Sequence, residues 1–160
     1  MVRIKERYLL VNIIYPASPS AGVPDFVAQH QPTVANLTPH MLLKTIKAQA
    51  AILFGDYGAG AFEGRLSVKY LSLATSTFIL RCSRAHHQML WAVLTLMDSV
   101  PAQNGQPCIF RVVRVSGTMR KLEEEAIRQS RALVLAAKEA AATLDASSGC
   151  LAMAGAVTTA

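Results

Sequence analysis

Residues 61–71 and 75–83 are two strand-like runs joined by only Ser72, Leu73 and Ala74. So short a link cannot carry the chain back to start a parallel neighbour, and the runs are expected to pair as an antiparallel hairpin. In the second run Phe78, Leu80 and Cys82 share one face, while Thr77, Ile79 and Arg81 share the other.

Each flank of this hairpin supplies a helix and a strand. Residues 3–15, RIKERYLLVNIIY, read as a strand whose basic start puts Arg3, Lys5 and Arg7 on alternate positions. Thr38 as N-cap and Pro39 at the first helical position open a helix. Leu42, Ile46, Ala50 and Leu53 mark its buried stripe, Lys44 and Lys47 its outer side, and Gly55 its stop. Ser83 is the expected cap of a second helix over 84–98, which is apolar nearly all round through Met89, Leu90, Trp91, Val93, Leu94, Leu96 and Met97. Such a helix is buried on more than one face, in its own domain or against another protein.

A turn-rich loop at 101–107 leads into a strand at 108–115, whose alternation predicts Arg111 and Arg114 on opposite sides. Thr118 then caps a last helix running to about residue 144. The order β-α-β-β-α-β plus a final helix predicts an α+β fold, a ferredoxin-like or RNA-recognition-motif-like sandwich. Its antiparallel sheet carries helices mainly on one face, and the other face is expected to be free for a ligand. One domain covers 1–144, including a long, mobile loop at 16–36 broken by Pro16, Pro19, Pro24 and Pro32, and a disordered Ala/Ser/Gly/Thr tail fills 145–160.

Charge narrows the function classes. The 160 residues carry a formal net charge of +6. The excess is concentrated: from Arg65 to Lys121 the cations Arg65, Lys69, Arg81, Arg84, Arg111, Arg114, Arg120 and Lys121 face only Asp98. A local excess of that kind points to a polyanionic partner. Cys82, Cys108 and Cys150 are odd in number and widely spaced, so neither a zinc site nor a disulfide framework is signalled, and reduced thiols suit the nucleus or cytosol. The longest apolar run, 89–97, is far short of a membrane span, and Glu6 and Asn12 argue against a secretory signal.

No catalytic constellation emerges. The glycines of GDYGAG follow a helix and precede a strand, the reverse of a phosphate-binding loop. His86 and His87 are neighbours on a helix and diverge by about 100°, and Glu123, Glu124 and Glu125 fan outward in the same way. The stretch TSTFILRCS lacks the glycine and aromatic positions of a standard single-strand RNA reader. What remains is a cationic surface of strand ends and helix starts, dominated by arginines suited to forked phosphate contacts. On the residues alone, a ferredoxin-like protein-interaction or regulatory module that binds no RNA stays open as the alternative.

Four blocks in order, VRIKERYLL, FGDYGAG, LSVKYLSLATSTFILRCSRAHHQMLWAVL and FRVVRVSGTMRKLEEEAI, closely resemble the Pop-five type of the Pop-five/Rpp-fourteen family, over residues 2–127. The resemblance implies a noncatalytic RNA-binding subunit of ribonuclease P and RNase MRP, located in the nucleus and nucleolus. It would support a catalytic RNA that removes the 5′ leader of precursor tRNA and takes part in rRNA processing. It implies no cofactor on this chain, with Mg2+ carried by the partner RNA. The implied partners are ribonuclease P RNA, RNase MRP RNA, precursor tRNA, an Rpp-thirty-type subunit, an Rpp-fourteen-like subunit and a Pop-one-type scaffold. The motifs and the charge pattern nominate Arg3, Lys5, Arg7, Lys69, Arg81, Arg84, Arg111, Arg114, Gly117, Thr118, Arg120 and Lys121 as RNA-facing. Leu90, Trp91 and Leu94 are nominated for protein contact.

Overall fold

The computed structural model describes residues 5–16, 30–101 and 105–153, with the backbone alone for 140, 141 and 143–153. The chain divides into two units, Met1–Glu125 and Ala126–Ala160.

In the first unit the elements are β1 (Glu6–Ile14), α1 (Pro39–Phe62), β2 (Ser67–Ser72), β3 (Thr77–Ser83), a 3-10 turn (Arg84–His86), α2 (His87–Leu96) and β4 (Ile109–Ser116). The last helix, α3 (Met119–Met153), begins here and makes up the described part of the second unit. It continues past residue 144, where the sequence predicts a disordered tail; residues 154–160 lie outside the described residues.

The sheet order is β2-β3-β1-β4, with every neighbouring pair antiparallel. This is the α+β ferredoxin-like arrangement, with the hairpin strand β3 beside β1. Leu9, Val11 and Ile13 of β1, Phe78 and Leu80 of β3 and Phe110 of β4 point to one side. They pack there with Leu42, Ile46 and Ala50 of α1 and Leu90, Val93 and Leu94 of α2. Phe78 and Phe110 meet edge to face, centroids 6.0 Å apart.

Thr38 caps α1 through its Oγ1, which accepts from the Met41 amide at 3.3 Å. Gly55 does interrupt the helix, at φ 61 and ψ −150. The chain then resumes helical geometry to Phe62, so β2 begins at Ser67 and not near residue 61. Two contacts explain the extra turn: Phe62 is buried, and a Cβ on Gly58 would stand 2.4 Å from the Ala50 carbonyl oxygen. Gly55 and Gly58 of GDYGAG thus serve a kink folded back on its own helix. Leu53, expected in the buried stripe, is 39% exposed beside this kink.

The proline-rich connection is partly anchored. Residues 17–29 lie outside the described residues, but the Thr33 amide donates to the Leu73 carbonyl at 2.9 Å and the Ser76 hydroxyl donates to the Gln31 carbonyl at 2.6 Å. Tyr15 and Thr33 also share a hydroxyl hydrogen bond. Gln31 and Thr33, within the stretch expected to form a long loop, are therefore tied to the β2–β3 turn.

Candidate nucleic-acid interface

Tyr8 pairs with Arg81 on one side and with Ser116 on the other, so the start of β1 and the ends of β3 and β4 lie together. This register gathers much of the nominated basic set at one end of the sheet. The Arg84 amide donates to the Lys5 carbonyl at 3.0 Å, joining those two segments. Arg7 donates from Nη1 to the Glu6 carbonyl at 3.3 Å, and the same nitrogen lies against Gly117. Lys5, Arg84, Gly117, Thr118, Arg120 and Lys121 are all exposed, while Arg7 and Arg81 are half-buried. Arg3 lies outside the described residues.

Three of these cations are already engaged. Arg81 reaches Glu6 at 3.4 Å, and its Nε donates to the Ser67 hydroxyl at 3.2 Å. Arg120 meets Glu124 at 3.1 Å across one helical turn. Arg114 is bonded to Glu125 at 2.5 Å. The sequence does not mark Glu6 and Glu125 as arginine partners, because only strand register and the start of α3 bring them to arginines distant along the chain. Lys69 is exposed at the β2 bulge on one edge of the sheet.

The facing of the β4 arginines departs from simple alternation. Leu10 pairs with Arg114 and Val11 with Val112, so Val113 is an extra residue in β4. One inserted residue resets the period of two. Arg111, paired with Asn12, and Arg114, paired with Leu10, therefore share the face away from α1 and α2, correcting the expectation that they point to opposite sides.

That outer face is not free at its centre. Leu10 and Ile79, cross-strand partners on it, are 0% and 2% exposed, yet they stand apart from the main core cluster. Arg114 on the same face is tied to Glu125 in α3, and Leu122, also 0% exposed and outside the main cluster, comes from the same helical turns. Burial of Leu10 and Ile79 closes the centre of this face, and the Arg114–Glu125 pair brings the start of α3 to its β4 side. Bases cannot stack across it as they do on an open RNA-recognition sheet.

The nominated protein-contact residues divide. Leu90 and Leu94 are fully buried in the core and are unavailable to a partner, whereas Trp91 is 44% exposed. Exposed apolar side chains outside that nomination include Ile52, Phe54 and Tyr57 of α1, Tyr70 of β2, Leu96 of α2 and Ile109 of β4. A helix apolar on all sides does not disclose which side its own sheet takes.

The groups able to do acid-base or nucleophilic chemistry do not converge. Nδ1 of His87 bonds the Arg84 carbonyl oxygen at 2.8 Å, while His86 stands edge-on to Tyr57 at 6.1 Å. Burial pushes the Cys82 thiol up to about 11 against the lowering influence of Arg7, and burial with the nearby Asp98 charge pushes Cys108 up to about 12. Neither is a thiolate at neutral pH. Among the described residues no group of three or more His, Cys, Asp or Glu could hold a metal ion, and no helix is long and apolar enough to cross a membrane.

The sequence model of the Rpp14/Pop5 family matches residues 7–127, which spans β1 to β4 and the first turns of α3. The chain belongs to the Rpp14/Pop5 family. Among its relatives, the ribonuclease P/MRP protein subunit POP5 of Schizosaccharomyces pombe is 42% identical over 131 residues, 82% of this chain and 89% of that protein. The Saccharomyces cerevisiae subunit of the same name is 33% identical, over 81% of this chain and 78% of its own length. A chain in the cryo-EM structure of yeast ribonuclease MRP superposes with a TM-score of 0.46 at 12% identity, covering 82% of this chain and 98% of that one. Within the family match fall all the nominated cations that the structure describes apart from Lys5.

Proposed function

We propose that this chain is a noncatalytic, RNA-binding protein subunit of ribonuclease P and RNase MRP. The observation that carries the reading is its 42% identity, over most of both chains, to a protein that is itself named as a subunit of those enzymes. The gathering of Lys5, Arg7, Arg84, Arg120 and Lys121 around one end of the sheet supports RNA contact, since clustered cations release counterions from a phosphate backbone.

In this reading the partner RNA, with its own Mg2+, removes the 5′ leader of precursor tRNA, and RNase MRP acts in rRNA processing. The chain neutralises backbone charge and holds RNA segments in place. Its work is in the nucleus and nucleolus. Arg81, Arg84, Gly117 and Thr118 form the centre of the RNA-facing corner, and exposed Trp91 on α2 serves contact with a protein partner of the Rpp-thirty, Rpp-fourteen or Pop-one type.

Depletion of the chain from its host cell tests the role directly. The expected result is accumulation of precursor tRNA with uncleaved 5′ leaders, restored by the intact chain. Normal leader removal after complete depletion contradicts the role.

A further inference from the structure

The β4 bulge brings onto one face two cations that the charge pattern nominates only as separate members of a basic surface. With Val113 inserted, Arg111 and Arg114 stand opposite Asn12 and Leu10 of β1, two positions apart on one face. Two residues along a strand span about 7 Å, the scale of neighbouring phosphates on one nucleic-acid strand. Arg111 is exposed and has no acidic partner among the described residues. Arg114 is 43% exposed through its side chain but is occupied by Glu125, whose own side chain is only 15% exposed.

We propose that Arg111 and Arg114 form a two-phosphate seat on the outer face of β4, and that Glu125 occupies Arg114 until an RNA backbone displaces it. This rests on the RNA-binding reading above and specifies where and how the backbone is held. Leu10 and Ile79 close the centre of the sheet, so the RNA runs along the β4 edge and its bases do not lie across the strands. The Arg114 guanidinium already holds an anion through Nη1, bonded to Glu125 Oε2, and a phosphate oxygen can take the place of that carboxylate oxygen. Glu125 is thus an internal stand-in for the ligand, and exchanging it for RNA swaps one anion for another at Arg114. Arg111, with no anion to give up, makes the first contact.

The full-length chain, titrated with in vitro transcribed ribonuclease P RNA at several salt concentrations, tests this. Arg111→Ala is expected to lower the slope of log affinity against log salt by about 0.7–0.9, and the double variant with Arg114→Ala by about twice that. Glu125→Gln, which frees Arg114 in advance, is expected to tighten binding by up to about fivefold without changing the slope. Lys47→Ala, an exposed cation on α1, serves as the positional control and should leave the slope unchanged. RNA bound by the wild-type chain with an unaltered slope in the double variant overturns the seat and leaves the RNA-binding reading standing. Equal slope losses for Lys47→Ala and Arg111→Ala overturn it in the same way. Weaker binding by Glu125→Gln, with its thermal unfolding unchanged, overturns the displacement step. Absence of RNA binding by the wild-type chain overturns both the seat and the RNA-binding reading.

Discussion

The guanidinium of Arg7 lies against Gly117, its Nη1 2.9 Å from the point that a Cβ on that glycine would occupy. The contact links the basic start of β1 to the turn between β4 and α3, and it holds an arginine whose backbone partner is Cys82 at the very end of the sheet. Gly117 is not at positive φ, so the reason for glycine there is the space it leaves.

Gly117→Ala is therefore expected to move Arg7 without harming the fold. The atom that must give way is the far end of a flexible side chain, and Tm should shift by no more than about 2 °C. RNA affinity should fall, because the guanidinium is displaced from the corner. A thermal melt together with an RNA titration checks both halves; a large loss of Tm with unchanged affinity contradicts the assignment.

Gly55→Ala should behave in the opposite way. At φ 61 and ψ −150 an alanine is strained, and a loss of about 1–3 kcal/mol is expected from denaturant unfolding. Its effect on RNA affinity should be small once the variant is folded, because the α1 kink is not part of the basic corner.

Local signals in this sequence report local structure, and long-range pairing leaves no mark in it. The hairpin, the Thr38 cap with Pro39 and the buried Leu42, Ile46 and Ala50 stripe depend on neighbours in sequence, and all are present. The bulge at Val113 depends on how β4 registers with β1, and an alternating pattern carries no mark of it. Likewise Leu122 is one leucine among charged residues, too isolated to announce that it is fully buried. The helical segment after Gly55 has a third reason: Gly55, Gly58 and Gly60 each disfavour a helix relative to alanine, and tertiary contact of Gly58 and Phe62 decides the matter.

The covered face makes a stability prediction. Leu122→Ala removes a fully buried side chain and should cost about 2–5 kcal/mol, comparable to Leu94→Ala in the main core. Urea unfolding of the two variants measures it. A change within about 0.5 kcal/mol for Leu122→Ala would show that α3 does not pack there.

The two buried thiols give a pH dependence. Both have folded pKa values raised above the ordinary 9.0, to about 11 for Cys82 and about 12 for Cys108. The unfolded chain therefore loses these protons first as the pH rises. Their contribution to stability is fully present below pH 9 and is lost as the pH climbs through about 11 to 12. In a Cys150→Ser background, alkylation of the native protein at pH 7.5 should be negligible and should become rapid only on unfolding. Fast labelling of the native state at that pH contradicts the burial of both groups.

Membership of an RNA-based enzyme through direct contact with its RNA is tested by purifying the tagged chain from its own cells after ultraviolet crosslinking and sequencing the RNA attached to it. Ribonuclease P RNA and RNase MRP RNA are expected to dominate the crosslinked material. Recovery of neither RNA from an intact, folded chain contradicts it.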